Sequence, residues 1–176
     1  MKPAIDLPLP ELAFPDAGWR ERFSRYVARA AALGLELVAR LEPGAPEAAL
    51  GALPARLRSL YQGANGGRIG HVHLFPLAQV AKSPAGFAFA SDYAGAYAFA
   101  EGPHEVVLRG EEPGEEHRFS TLGTFLDAAL VRAWAAALHR KAELEAGDDI
   151  DDSAWVLAAR ETELRIDAKM LRTRED

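Results

Sequence analysis

The fold turns on one passage: Leu53-Pro54-Ala55-Arg56-Leu57-Arg58-Ser59-Leu60-Tyr61-Gln62-Gly63-Ala64-Asn65-Gly66-Gly67, running on to Leu74-Phe75-Pro76-Leu77. Pro54 suits the first helical position, where its missing N–H costs nothing. Leu53, Leu57, Leu60 and Tyr61 recur at helical spacing, while Arg56, Arg58 and Gln62 face water. Asn65, Gly66 and Gly67 are expected to supply the positive-φ conformations that stop the helix and turn the chain. Ile69, His71 and His73 then alternate with Gly70, Val72 and Leu74, which predicts one strand with both histidines on the same face. The passage is architectural and contains no catalytic chemistry.

Upstream, residues 1–15 carry Pro3, Pro8, Pro10 and Pro15 and form an arm that is not regular helix. Asp16 is placed to cap a helix from about Ala17, with Trp19, Phe23, Tyr26, Val27 and Ala30 as its apolar stripe. Gly34 ends or bends it. Leu35, Leu37, Ala39 and Leu41 alternate with polar or smaller neighbours, so strand and further helix both fit there. Pro43, Gly44 and Pro46 break the chain before a short helix over 46–52.

Downstream, Lys82 to Gly86 reads as a loop. Phe87-Ala88-Phe89-Ala90 and Ala96-Tyr97-Ala98-Phe99-Ala100 read as a hairpin about the turn Ser91 to Gly95, each pair of aromatics sharing a face. Glu105 to Arg109 is a third strand, Glu111 to Glu116 a turn and His117 to Phe119 a short return strand. Ser120 or Thr121 caps a long helix that is apolar nearly all round from Ala128 to Leu138 and is broken at Gly147. A last helix starts near Ser153, with Leu157, Leu164 and Leu171 at heptad spacing. Helices, then strands joined by short connections, then helices predict an α+β fold. We expect a mainly antiparallel sheet of about five to six strands, packed with the N-terminal helices and the long helix after the sheet. The C-terminal helical extension is added to that core.

One domain, 1–176, is what this length supports. No apolar run approaches the length of about 18 residues that a membrane span needs, and the N-terminus lacks the features of a signal peptide. The absence of cysteine rules out a disulfide framework, a thiol nucleophile and thiolate metal ligands, and points to the cytoplasm. Arg far outnumbers Lys, which reads as the codon bias of a GC-rich bacterial genome.

The net charge of −6 argues against nucleic acid as a partner. Its distribution is more informative. Asp92, Glu101, Glu105, Glu111, Glu112, Glu115 and Glu116 face only Arg109 between Ser83 and His117, which accounts for the whole deficit. A second acidic run, Glu143 to Asp152, follows the long helix. One reading is a solvated rim; the other is a docking surface for a basic partner, where complementary charge raises the encounter rate.

Three stretches in order carry a family resemblance. Glu47, Leu50-Gly51, Leu53-Pro54, Leu57, Leu60-Tyr61 and Asn65-Gly66 form the first. Ala90-Ser91-Asp92-Tyr93-Ala94-Gly95-Ala96 is the second. Val106-Val107, the acidic turn, and Ser120 with Phe125-Leu126 make the third. The pattern resembles the SUKH superfamily, which groups fungal cell-wall-assembly regulators, the killer-toxin-resistance proteins, with bacterial immunity proteins. It covers about residues 40–138. Tyr and Phe stand where that family's strands usually carry Trp, and the helices after Leu138 are extra to its core. The resemblance implies a SUKH-like core over about 16–138 with a C-terminal helical extension at 139–176. It also implies an interaction domain without family-wide catalytic residues or cofactors, whose bacterial members neutralise toxins, often nucleases, by binding them.

His71 and His73 on one strand face would need Asp92, His104 or His117 to complete a metal site. That is the basis for a metal-dependent hydrolase reading with His71, His73 and Asp92; otherwise the pair lies on an exposed strand face. Asp92 with Glu101 or Glu105 would make a carboxylate pair, yet an Asp in a Ser-Asp-X-X-Gly turn ordinarily bonds its own backbone. Gly63 to Gly67 follows a helix and lacks the Lys-Ser or Lys-Thr of a phosphate loop. Ser120 is explained as a cap. The expectation is therefore a non-catalytic, cytoplasmic protein-binding domain with no cofactor and no metal. Its acidic rim would meet a basic partner such as a toxin nuclease. A structural module that forms homodimers through 153–172 is the remaining alternative.

Overall fold

The computed structural model describes residues 18–103, 105–109, 116–146 and 155, 156 and 159. The arm at 1–15, Asp16, His104, Glu111, Glu112, Glu115 and most of 153–172 lie outside them. The element order is α1 (Trp19–Ala32), β1 (Ala39–Leu41), a 3-10 turn (Glu47–Ala49), α2 (Ala55–Gly63), β2 (Gly67–Ile69), β3 (Val72–Leu74) and a second 3-10 turn (Leu77–Gln79). It continues with β4 (Ala81–Ser83), β5 (Gly86–Asp92), β6 (Gly95–Phe99), β7 (Val106–Arg109), β8 (Glu116–Phe119) and α3 (Leu122–Ala146). The α+β expectation holds. Among the described residues eight strands, against the five to six expected, pair antiparallel throughout, in the order β1-β2-β3-β5-β6-β7-β8, and β4 lies beside β5.

Two of the extra strands come from misread turns. The alternation over 69–74 is not one strand: Ile69 pairs with Val72, and Gly70-His71 is a two-residue hairpin turn. Gly70 has φ 59 and His71 a negative φ, the pattern of a type II′ turn with Gly first. The turn reunites Ile69 with Val72 and Leu74 on the buried face. Lys82 to Gly86, read as a loop, is largely the β4–β5 hairpin, with Ser83 paired to Gly86 and the Ser83 hydroxyl donating to the Gly86 carbonyl at 3.0 Å. In β5 the ladder slips at Phe89, a bulge that puts Phe89 at 0 % exposure between paired Ala88 and Ala90.

The helix ends follow from local chemistry. α1 closes in a Schellman motif at Gly34 (φ 68), with the Leu35 N–H donating to the Ala30 carbonyl and the Gly34 N–H to Ala31, both at 2.9 Å. Leu35 and Ala30 are both buried beneath it. α2 begins after Pro54 and ends before Asn65-Gly66-Gly67. The three residues were expected to share positive φ, but only the glycines do. Asn65 works through its side chain, whose Oδ1 accepts the Leu77 N–H at 2.7 Å. A Cβ on Gly66 would stand 2.8 Å from the Pro76 nitrogen, so the chain passes too close there for any side chain. The short helix expected over 46–52 is one 3-10 turn, and 35–41 yields a strand only from Ala39.

One sheet face packs on α3. Tyr97, Phe119 and Phe89 surround Phe125 at ring distances of 4.6, 5.3 and 5.5 Å. Each such pair contributes about 1 kcal/mol beyond its area burial. Thr121 caps α3, accepting the Thr124 N–H at 3.0 Å. The helix runs unbroken through residue 138, where the core was expected to end, and Leu138 and Ala142 are fully buried. Trp155, Val156 and Ala159 are helical, with Val156 and Ala159 buried. The Trp155 indole donates to Glu145 at 2.8 Å and lies 4.5 Å from the Lys141 ammonium. Arg20 donates to the Leu41, Glu42 and Gly63 carbonyls and ties α1 to β1 and α2. Among the described residues no helix is long and apolar enough to cross a membrane.

Candidate functional site

Antiparallel register decides which residues meet. The pairs Ile69–Val72, Asp92–Gly95 and Arg109–Glu116 close the β2–β3, β5–β6 and β7–β8 ladders. His73 pairs with Ser91 and Ala96 with Arg109, so all three connections leave from the same end of the sheet. The β6–β7 connection lies at the other end, beyond Phe99 and Val106. The seven acids between Asp92 and Glu116, neighbours in sequence, are thereby divided. Asp92 and Glu116 belong to the three-turn end, where the chain also leaves for Glu111, Glu112 and Glu115, outside the described residues. Glu101 and Glu105 belong to the opposite end.

Two of the seven are held by their own domain. Asp92 Oδ1 accepts the Ala94 N–H at 2.7 Å and its Oδ2 accepts the Tyr97 hydroxyl at 2.5 Å. The first bond is the turn bond expected of Ser-Asp-X-X-Gly. Burial, then the bond to Asp92 and its charge, push the Tyr97 phenol well above the ordinary tyrosine range. Glu105 is tied to Arg56 and to the Leu122 amide. Glu101 is exposed.

The three-turn end is also where the surface is concave. Val38, His71, Tyr93 and the α3 residues Arg132, Ala136 and Arg140 line a groove of about 230 Å³. Round the corner, on the sheet face away from α3, Arg40, Glu42, Arg68, His73 and Ser91 line a shelf of about 640 Å³. Arg68, His71 and Asp92 border both. Tyr93, at the tip of the β5–β6 turn, is 89 % exposed, and its ring meets His71 edge-on at 6.0 Å.

The trio proposed for metal chemistry borders one shelf without closing into a ligand cluster among the described residues. His71 sits in the hairpin turn and His73 on β3, with its ring 5.6 Å from Phe75, while the Asp92 carboxylate is occupied by Tyr97 and Ala94. Among the described residues no three His, Cys, Asp or Glu side chains gather as a metal ion would require. No family model, curated protein or solved structure matches the chain.

Tyr93, Arg40 and Arg68 were not singled out in the sequence. For Tyr93 the signal was present: it is the one aromatic between Phe87 and Phe99 that falls inside the turn rather than on a strand. For the two arginines there was none, because they meet only through the β1–β2 register.

Proposed function

We propose that this chain is a non-catalytic protein-binding domain, SUKH-like in build, that offers the three-turn end of its sheet to a partner. The observation that carries this is Tyr93, an almost fully exposed aromatic at the rim of the groove between the sheet and α3. Tyrosine and arginine are, with tryptophan, the side chains that most often dominate binding energy at protein interfaces, and Arg68, Arg132 and Arg140 border the same groove. The SUKH-like reading draws support from the way its three stretches fall on separate structural units: α2 with its turn, the β5–β6 hairpin, and β7–β8 with the start of α3. An immunity or regulatory protein of the bacterial cytoplasm, bound to a basic partner such as a toxin nuclease, is the specific form we favour. β7 ends and β8 begins at that end, and the acidic residues that the sequence places between them would steer such a partner toward Tyr93.

Affinity capture from native lysate at low and high salt tests this. One basic protein should be retained at low salt, and lost when Tyr93→Ala is combined with charge reversal at Glu111, Glu112, Glu115 and Glu116. Retention that ignores all five changes would refute the assignment of this end.

A further inference from the structure

We infer that the open face of the sheet holds an acidic peptide segment of the partner, laid across Arg40, Arg68 and His73. This deepens the protein-binding reading and rests on it. Arg40 is paired with Arg68, Arg68 with His73, and His73 with Ser91, so four adjacent strands place these residues in one row. With strands about 4.8 Å apart, the row is about 14 Å long. Arg40, Arg68 and His73 are all exposed.

Two like charges placed directly opposite across a ladder repel each other. The contacts within the chain offset little of this. Arg40 has Glu42 at 3.6 Å with both side chains largely in water, where such a pair contributes almost nothing. Among the described residues Arg68 bonds through its Nε alone, donating to the Gly70 carbonyl at 3.0 Å. Arg68 borders the shelf, and a guanidinium is the planar fork that matches a carboxylate. A carboxylate between the two guanidinium groups would turn the repulsion into two charge-assisted bonds, with His73 and the Ser91 hydroxyl as further donors along the row.

The occupant follows from the shelf's borders. Glu42 and Asp92 also line it. A nucleic acid, with evenly dense charge, would meet both carboxylates as well as the chain's overall negative charge. A short peptide with an acidic centre and neutral or basic flanks meets neither penalty. Such a segment, continuous with a basic surface against the acidic turn, would make the partner's charge pattern the complement of this one.

The test is fluorescence anisotropy of the full chain, at low ionic strength, with a labelled peptide of alternating glutamate and glycine. Binding is expected to weaken by about tenfold in Arg68→Gln, the loss typical of one charged hydrogen bond, and to weaken also in Arg40→Gln and with added salt. Circular dichroism checks that each variant is folded, and the second variant serves if the first is not. The inference is overturned if the peptide does not bind or if neither substitution matters. Tighter binding of single-stranded DNA of equal charge would also overturn it. A partner captured through Tyr93 but indifferent to Arg68→Gln would remove the shelf and leave the protein-binding reading standing.

Discussion

Glu105 closes the amino end of α3: its Oε2 accepts the Leu122 N–H at 2.8 Å, and its Oε1 stands 3.1 Å from Arg56 Nε. A carboxylate at a helix N-terminus satisfies an orphan donor and complements the helix dipole. Its side chain is only 14 % exposed, whereas Arg56 is half-exposed. Glu105→Ala should therefore lower stability by about 2 kcal/mol, from the lost cap and charged hydrogen bond. Arg56→Ala should cost less than about 1 kcal/mol, since a pair open to water is screened. Urea denaturation of the two variants checks the order. Equal losses would mean that the ion pair, not the cap, is what matters.

Gly63, at the last position of α2, is expected to reverse an ordinary rule. Replacing glycine by alanine in a helix usually gains about 1 kcal/mol. Here the new Cβ would lie 2.5 Å from the buried Trp19 ring, whose Nε1 donates to the Ser59 carbonyl at 3.0 Å. Displacing that ring disturbs the α1–α2 contact, so Gly63→Ala should destabilise by about 1–3 kcal/mol, the usual cost of overpacking. A raised thermal midpoint would contradict this.

Tyr61 and Tyr97 predict a loss of stability in alkali. Burial pushes the phenol of Tyr61 up, and burial with the Asp92 bond pushes up that of Tyr97. In the unfolded chain both ionise near pH 10. Above that pH the unfolded state has released protons that the folded state keeps, so stability falls as pH rises. Their contribution is whole below about pH 10 and declines above it by up to about 1.4 kcal/mol per pH unit for each tyrosine. Urea unfolding at pH 9, 10 and 11 should show this slope in the native protein. It should be much shallower in the Tyr61→Phe, Tyr97→Phe double variant, although that variant starts from a lower stability for want of two hydrogen bonds. Equal slopes would mean that these phenols are not held protonated.

The frame of the fold was legible because its signals are local. Pro54, the Leu57–Leu60–Tyr61 stripe, Gly34 and Thr121 each act within a turn or two of themselves. What was lost depends on pairing. A two-residue turn shifts the alternation by one step, so Ile69 to Leu74 passed for a single strand. One clue was available: an unbroken strand would have put apolar Ile69 on the face of His71 and His73. The bulge at Phe89 and the brief β4 likewise depend on their neighbours in the sheet. The acidic rim looked continuous only because charges close in sequence were assumed close in space. The β6–β7 crossing carries Glu101 and Glu105 to the far end, and internal bonds hold Asp92 and Glu105.

The most direct measurement is photo-crosslinking in native lysate, with benzoylphenylalanine at position 93 and, separately, at position 144. Leu144 on α3 is 78 % exposed and lines neither concave surface, so it controls for an exposed apolar side chain as such. A discrete adduct with one protein from position 93, absent from position 144 and suppressed by excess unlabelled protein, is the predicted result. An adduct from position 144 alone, or none from position 93, would contradict binding through the three-turn end.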